Sequence, residues 1–219
     1  MKYRAGILDK LVNADSVIFD LDGVLLDNVE LYRSATLRSV KILLDHVFRG
    51  EIRVSIPEIA YHLLKEKGEF NNDWDITFLM FSYFVSEVGM EVVISTLREL
   101  REESLQRKWE AIRGILGVEE LRVGIEPLIS YLKEVRKPSP EEAARASSRD
   151  PSLLRDFYVV MVKPKKPGSG IIPSVLEEVY HGPLVSEVYG MDPLIGVEKG
   201  LSLIHISEPT RPLYISYAV

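Results

Sequence analysis

The chain has 219 residues, 27 basic against 33 acidic side chains for a net charge of −6, 46% hydrophobic residues and no cysteine. That length can bury a sizeable core and suits one or two domains. The composition excludes disulfides, thiolate metal sites and cysteine nucleophiles, leaves no broad basic footprint for nucleic acid, and contains no apolar run near the ~20 residues that span a bilayer.

Tyr3–Val12 reads as a short opening helix, followed by a turn at Asn13-Ala-Asp15 and a strand over Ser16–Asp20. This segment is too charged and interrupted for a signal peptide, so a soluble, cytoplasmic protein is expected. Val24–Asp27 is a short extended piece. Asp27 or Asn28 then caps a helix to about Phe48, with Leu31, Ala35, Val40, Leu43, Leu44 and Val47 along its apolar side. Pro57 starts a second helix over Glu58–Lys67, stopped by Gly68. A third, aromatic-rich helix opens at Asn71-Asn72-Asp73 and runs to about Val88. Its Trp74, Phe78, Phe81 and Phe84 recur at helical spacing and predict packing rather than ligand stacking. Met90–Ile112 is predicted as a fourth helix and Ile125–Val135 as a fifth.

The polar stretch Lys137–Ser152, with three prolines, reads as a loop. Tyr158–Val162 has strong β propensity and predicts a strand. Lys163-Pro-Lys-Lys-Pro-Gly-Ser-Gly170 reads as an exposed, flexible connector. Pro173–Tyr180 and Pro183–Val188 predict two short closing helices. The final segment, Leu201-Ser-Leu-Ile-His-Ile-Ser-Glu-Pro-Thr-Arg211, resembles the in-frame translation of a transposase-type sequencing adapter. Pro212-Leu-Tyr214 would cover a sample index, and Ile215-Ser-Tyr-Ala-Val219 the constant adapter after it. Residues 201–219 are therefore set aside as an artefact. The natural sequence is expected to reach about Gly200 and to continue in the source locus, and genomic DNA encoding the tail would overturn this.

The most informative feature is Val17-Ile-Phe-Asp20-Leu-Asp22-Gly23-Val-Leu-Leu26. An apolar run ending in a loop suits a strand buried on both faces of a parallel sheet, and ligands gather at the carboxyl ends of such strands. Asp20 and Asp22, two residues apart, point to the same side while the strand persists, and Gly23 lets backbone approach closely. The pair suits phosphoryl transfer through an aspartyl-phosphate, with Asp20 as nucleophile and metal ligand. Like charge opposes attack of a carboxylate on a phosphate dianion, so Mg²⁺ is required, bound through oxygen ligands. Asp22 is placed to protonate the leaving oxygen and then to deprotonate the hydrolytic water. A calcium loop of the EF-hand kind does not fit, because Leu25 stands where glycine is needed and Leu31 where glutamate is needed.

Phe19-Asp20-Leu-Asp22-Gly-Val-Leu-Leu-Asp27 resembles the first motif of the haloacid dehalogenase (HAD) superfamily of phosphatases and phosphomutases. Two further segments resemble a phosphatase-like branch of its helical-capped subfamily, of the phosphoglycolate-phosphatase kind. They are Gly68-Glu-Phe-Asn71-Asn72-Asp73-Trp74-Asp75, and Val179-Tyr-His-Gly182 with Tyr189-Gly190 and Glu198-Lys-Gly200. The resemblance implies an α/β, Rossmann-like core with a large helical cap inserted after the first motif, so this chain would be mostly α. On that basis residues 1–28 are the first strand and flap of the core, 29–190 the cap, and 191–200 the return toward the core. It also implies a metal contact from the Asp22 backbone carbonyl, and substrate contacts from Asn71, Asn72 and Asp73, although Asn72 also reads as a plain helix cap.

The remaining HAD motifs, a Ser or Thr at a second strand end, a Lys and a further acidic pair, have no good counterpart before Gly200. Ile125-Glu-Pro-Leu-Ile-Ser-Tyr-Leu-Lys133 resembles the helix before the second motif, and Gly190-Met-Asp192-Pro is a poor match to the acidic pair. Lys163, Lys165 and Lys166 read as a solvated connector. Residues 1–200 alone are expected to be inactive. His46, His62 and His181 have no ligand spacing, so no zinc site is predicted. The expected activity is Mg²⁺-dependent hydrolysis of a small phosphorylated metabolite, with no nucleic-acid or membrane partner. A phosphomutase, or a helical binding module with an incidental Asp-Leu-Asp-Gly turn, is the alternative.

Overall fold

The computed structural model describes residues 29–54, 56, 58–66, 72–86, 88–121, 129 and 151–201. The chain divides into two compact units, Met1–Glu30 and Leu31–Val219. Nearly all of the first unit lies outside the described residues, including the predicted strand at Ser16–Asp20. The second is mostly helical with one small two-stranded parallel sheet.

Helix α1, Val29–Val47, buries Ala35, Val40, Leu43, Leu44 and Val47 as its periodicity requires. It runs directly into strand β1, Phe48–Ile52, which pairs in parallel with β2, Leu116–Leu121. Neither strand was predicted. In β1 only Phe48 is buried while Arg49, Gly50 and Glu51 face solvent, so no period-2 pattern exists to read. A parallel pair also needs a long crossover, here the helices between the strands. The junction is tied by the Gly114 N–H donating to the His46 carbonyl at 2.7 Å, and by the His46 ring stacked on Trp109 with centroids 3.5 Å apart.

Burial holds the His46 pKa below its usual 6.5, against a smaller upward pull from a hydrogen bond to the Trp109 carbonyl. The folded chain therefore binds fewer protons here than the unfolded chain. The contribution of His46 to stability is present in full above pH 6.5 and is lost as pH falls below it. His46→Gln should accordingly flatten the fall in urea midpoint between pH 7.5 and 5. Identical slopes for the two proteins would refute this.

Helix α2 spans Glu58–Glu66 and buries Ala60, Tyr61 and Leu64. Helix α3, Asp73–Ser86, is the centre of the unit. It is apolar all round, with Ile76, Phe78, Leu79, Met80, Phe81, Phe84 and Val85 buried, as a helix enclosed by others must be. The aromatic residues at helical spacing pack as predicted, Phe78 and Phe81 lying 5.7 and 5.8 Å from Phe157.

The predicted helix over Met90–Ile112 is two helices, α4 at Met90–Glu99 and α5 at Leu105–Ala111. Ser104 interrupts it by capping α5, its hydroxyl accepting from the Arg107 N–H at 3.2 Å. The break has a packing reason. An unbroken helix would rotate Trp109 about 120° away from Leu97, whereas both are buried.

The predicted strand at Tyr158–Val162 is instead the last part of helix α6, Pro151–Val162. Leu154, Phe157, Tyr158, Met161 and Val162 are buried at spacings of three and four, so helical burial against α3, α4 and a following helix overrides local β propensity. That following helix is α7, Ile171–His181, and α8 spans Val185–Tyr189 after a 3-10 turn at Gly182–Leu184. After α8 the chain comes back to α7 at Gly200, whose backbone lies against His181 and Gly182 so closely that a Cβ on Gly182 or Gly200 would strike the facing backbone.

Candidate functional site

The first turn of α3 sends its side chains to three different neighbours. Asn72 caps the helix, its Oδ1 accepting from the Trp74 N–H at 2.9 Å and its carbonyl from the Asp75 N–H at 3.1 Å. Asp73 reaches α2, accepting from the Tyr61 hydroxyl at 3.0 Å and pairing with Lys65 Nζ at 3.0 Å. Burial, and then the Asp73 charge, push the Tyr61 pKa upward and keep the hydroxyl a donor. Trp74 Nε1 donates to Glu177 on α7 at 2.9 Å. Asp75 is 7% exposed and has both oxygens engaged, by the Tyr158 hydroxyl at 2.8 Å and by Lys165 Nζ at 2.7 Å. A buried carboxylate is tolerated only with such partners. The turn thus works as a clamp joining α2, α6 and α7 to the central helix.

Asp75→Asn is expected to cost about 1–3 kcal/mol, below the usual figure for a broken buried pair because Lys165 can turn to water. Combined with Lys165→Met, the two losses should be non-additive by more than about 0.5 kcal/mol. Additive urea-unfolding energies would refute the pairing.

The segment Lys163–Gly170 is not the loose connector its composition predicts. Ser174 Oγ accepts from the Gly168 N–H at 2.8 Å and donates to the Gly170 carbonyl at 2.6 Å. The Ser169 and Gly170 N–H groups both return to the Lys166 carbonyl. A Cβ at Gly170 would lie 2.6 Å from the Val162 carbonyl oxygen, so only glycine fits. Its three lysines part ways. Lys165 pairs with Asp75, Lys163 lies 5.7 Å from the centre of the Tyr158 ring, and Lys166 lines a cavity of 340 Å³ together with Ser104, Gln106, Tyr189 and Asp192. A second cavity, of 530 Å³, lies between α4, α5, α6 and the loop, and Lys163 lines it with Arg98, Arg101 and Lys108.

Sequence reasoning also missed Glu178. This residue is fully buried, and its carboxylate accepts four consecutive backbone N–H groups: Leu194 at 2.5 Å, Ile195 at 2.9 Å, Gly196 at 2.6 Å and Val197 at 3.0 Å. A nest of backbone donors around this carboxylate fixes residues 194–197 to α7. Its neighbour Glu177 joins Trp74 to the Tyr189 hydroxyl, which donates at 2.9 Å. The readable signal was a carboxylate between Val175 and Val179 on an otherwise apolar stripe, where burial demands a partner.

Of the predicted site residues, Asp20, Asp22, Gly23 and Asn71 lie outside the described residues. Asn72 and Asp73 are placed side by side, the first as helix cap and the second in the contact to α2. Asp192 lines the same cavity as Lys166. Among the described residues no group of three or more His, Asp or Glu side chains could hold a metal ion. The described carboxylates at 73 and 75 are committed to cations and hydroxyls. No single helix among the described residues is long and apolar enough to cross a membrane. Comparison with protein-family models, curated proteins and solved structures gives no match.

Proposed function

We propose that the protein is a Mg²⁺-dependent phosphatase of the HAD type, acting on a small phosphomonoester through an aspartyl-phosphate on Asp20. The reading is carried by Val17-Ile-Phe-Asp20-Leu-Asp22-Gly23, a buried-strand pattern that delivers two carboxylates to one loop. It is supported by the helical unit whose first helix begins at Val29, where a cap inserted after this motif would start.

Asp20 attacks phosphorus as the alkoxide leaves, and Asp22 gives its proton to the departing oxygen. Asp22 then takes a proton from the water that attacks the acyl phosphate, which regenerates Asp20 and releases inorganic phosphate. Bound Mg²⁺ would offset the repulsion between the Asp20 carboxylate and the phosphate dianion. The test is phosphate release from p-nitrophenyl phosphate by the protein expressed from the source locus. Activity should appear with Mg²⁺ and vanish with EDTA. Hydrolysis that continues in EDTA, or none with any divalent cation or phosphomonoester, would sink the reading.

A further inference from the structure

We propose that the 530 Å³ cavity between α4, α5, α6 and the Lys163–Gly170 loop binds an organic phosphate, its anionic group held by Arg101, Lys108 and Lys163 and its apolar body laid against Leu97, Val159 and Ile171. The proposal goes beyond the phosphatase reading and does not depend on Asp20.

Charge is the first support. The chain carries a net charge of −6, yet four cations and no acidic residue line this cavity. Two of the four are partly neutralised, Arg98 by Asp156 at 2.6 Å and Arg101 by Glu102 at 3.5 Å. Arg101 and Glu102 are both more than four-fifths exposed, so that pair is weak and readily exchanged for a ligand anion. Lys108 Nζ donates to the Arg101 carbonyl at 2.7 Å, which holds this ammonium in place at the turn between α4 and α5. A concave wall of one sign concentrates anions, and guanidinium groups match phosphate oxygens in pairs.

Size and lining decide the kind of anion. The volume falls within the roughly 300–1,000 Å³ of organic-ligand pockets and is far larger than inorganic phosphate needs. Leu97 and Ile171 give it a buried apolar floor, 3% and 1% exposed. Val159 is left 44% exposed on a helix whose other large apolar residues are mostly buried, and an apolar ligand body would cover it. Lys163 and Ser169 both line the cavity, and the loop at Gly168–Gly170 is held by hydrogen bonds to Ser174 and Lys166, so this wall does not have to be assembled on binding.

The test uses 1-naphthyl phosphate as probe, its fluorescence titrated with the full chain carrying Asp20→Asn in EDTA, so that no hydrolysis interferes. Saturable binding that weakens with added salt is expected, with at least tenfold loss in the double variant Arg101→Gln, Lys163→Gln. Both side chains are exposed, and an unchanged thermal melt will confirm that the variant folds. Arg53→Gln, an exposed cation outside the cavity, should bind as the parent does. Inorganic phosphate and 1-naphthol should each bind at least tenfold more weakly than the probe. Unchanged affinity in the double variant, equal loss in Arg53→Gln, or equally tight binding of 1-naphthol would overturn the proposal.

Discussion

In the protein expressed from the source locus, Asp20→Asn should reduce Mg²⁺-dependent phosphomonoester hydrolysis by at least about 10³-fold, the scale on which removal of an attacking group is felt. The amide keeps the size and shape of the carboxylate but offers no anionic oxygen to phosphorus, and it removes a charged ligand from Mg²⁺. Folding should be unaffected, so the loss must fall on turnover rather than on the melting temperature. Asp22→Asn should be milder, about 10²–10⁴-fold, and its effect should depend on the leaving group. A good leaving group such as p-nitrophenolate needs little protonation, so its hydrolysis should suffer less than that of an alkyl phosphate. Retention of activity within threefold in Asp20→Asn would remove the nucleophile assignment. Equal losses with both leaving groups in Asp22→Asn would remove the acid role while leaving the nucleophile intact.

Glu178→Gln is the structural counterpart, expected to destabilise the chain by about 3–5 kcal/mol. The wild-type carboxylate offers acceptor oxygens to four N–H groups, and it is fully buried. Glutamine presents one oxygen and one NH₂, so two backbone donors would face another donor with no water to relieve them. Against a typical total stability of about 5–15 kcal/mol, this is a large fraction, and the melting temperature should fall on the order of 10 °C. Glu177→Gln provides the comparison one residue away. An amide oxygen still accepts from Trp74 or Tyr189 at the partly exposed surface, so about 1 kcal/mol is expected. Thermal melts of both variants decide the matter: equal effects would mean that the backbone nest is not what holds residues 194–197.

Helix positions were legible where one face repeats every three to four residues, as in α1 and α3, because that repeat is the burial pattern itself. The same rule was available for α6, yet the β-branched and aromatic run at its end outweighed it. Leu154, just after the polar stretch that ends at Ser152, completes the helical stripe. The α4–α5 break turned on one serine competing for backbone N–H groups, a choice that propensity alone places on either side. Strands β1 and β2 were invisible because each is short, β1 is mostly exposed, and their pairing runs across a long crossover.

The clamp at the start of α3 shows the same limit in its chemistry. Asp75 and Lys165 are 90 residues apart and Trp74 and Glu177 are 103 apart, so no local spacing links them. A lone carboxylate entering an apolar helix announces only that some partner must exist. By itself the sequence determined the helical character of most described residues from Val29 onward and the packing of the aromatic residues of α3. Both rest on short-range order, the periodicity along one segment. Tertiary structure alone decided that Lys163 and Lys165 both lie over the Tyr158 ring while Lys166 lines a separate cavity, that Glu178 anchors residues 194–197, and that four cations share a cavity. Those outcomes depend on which distant surfaces meet, and packing sets that only when the whole unit is folded.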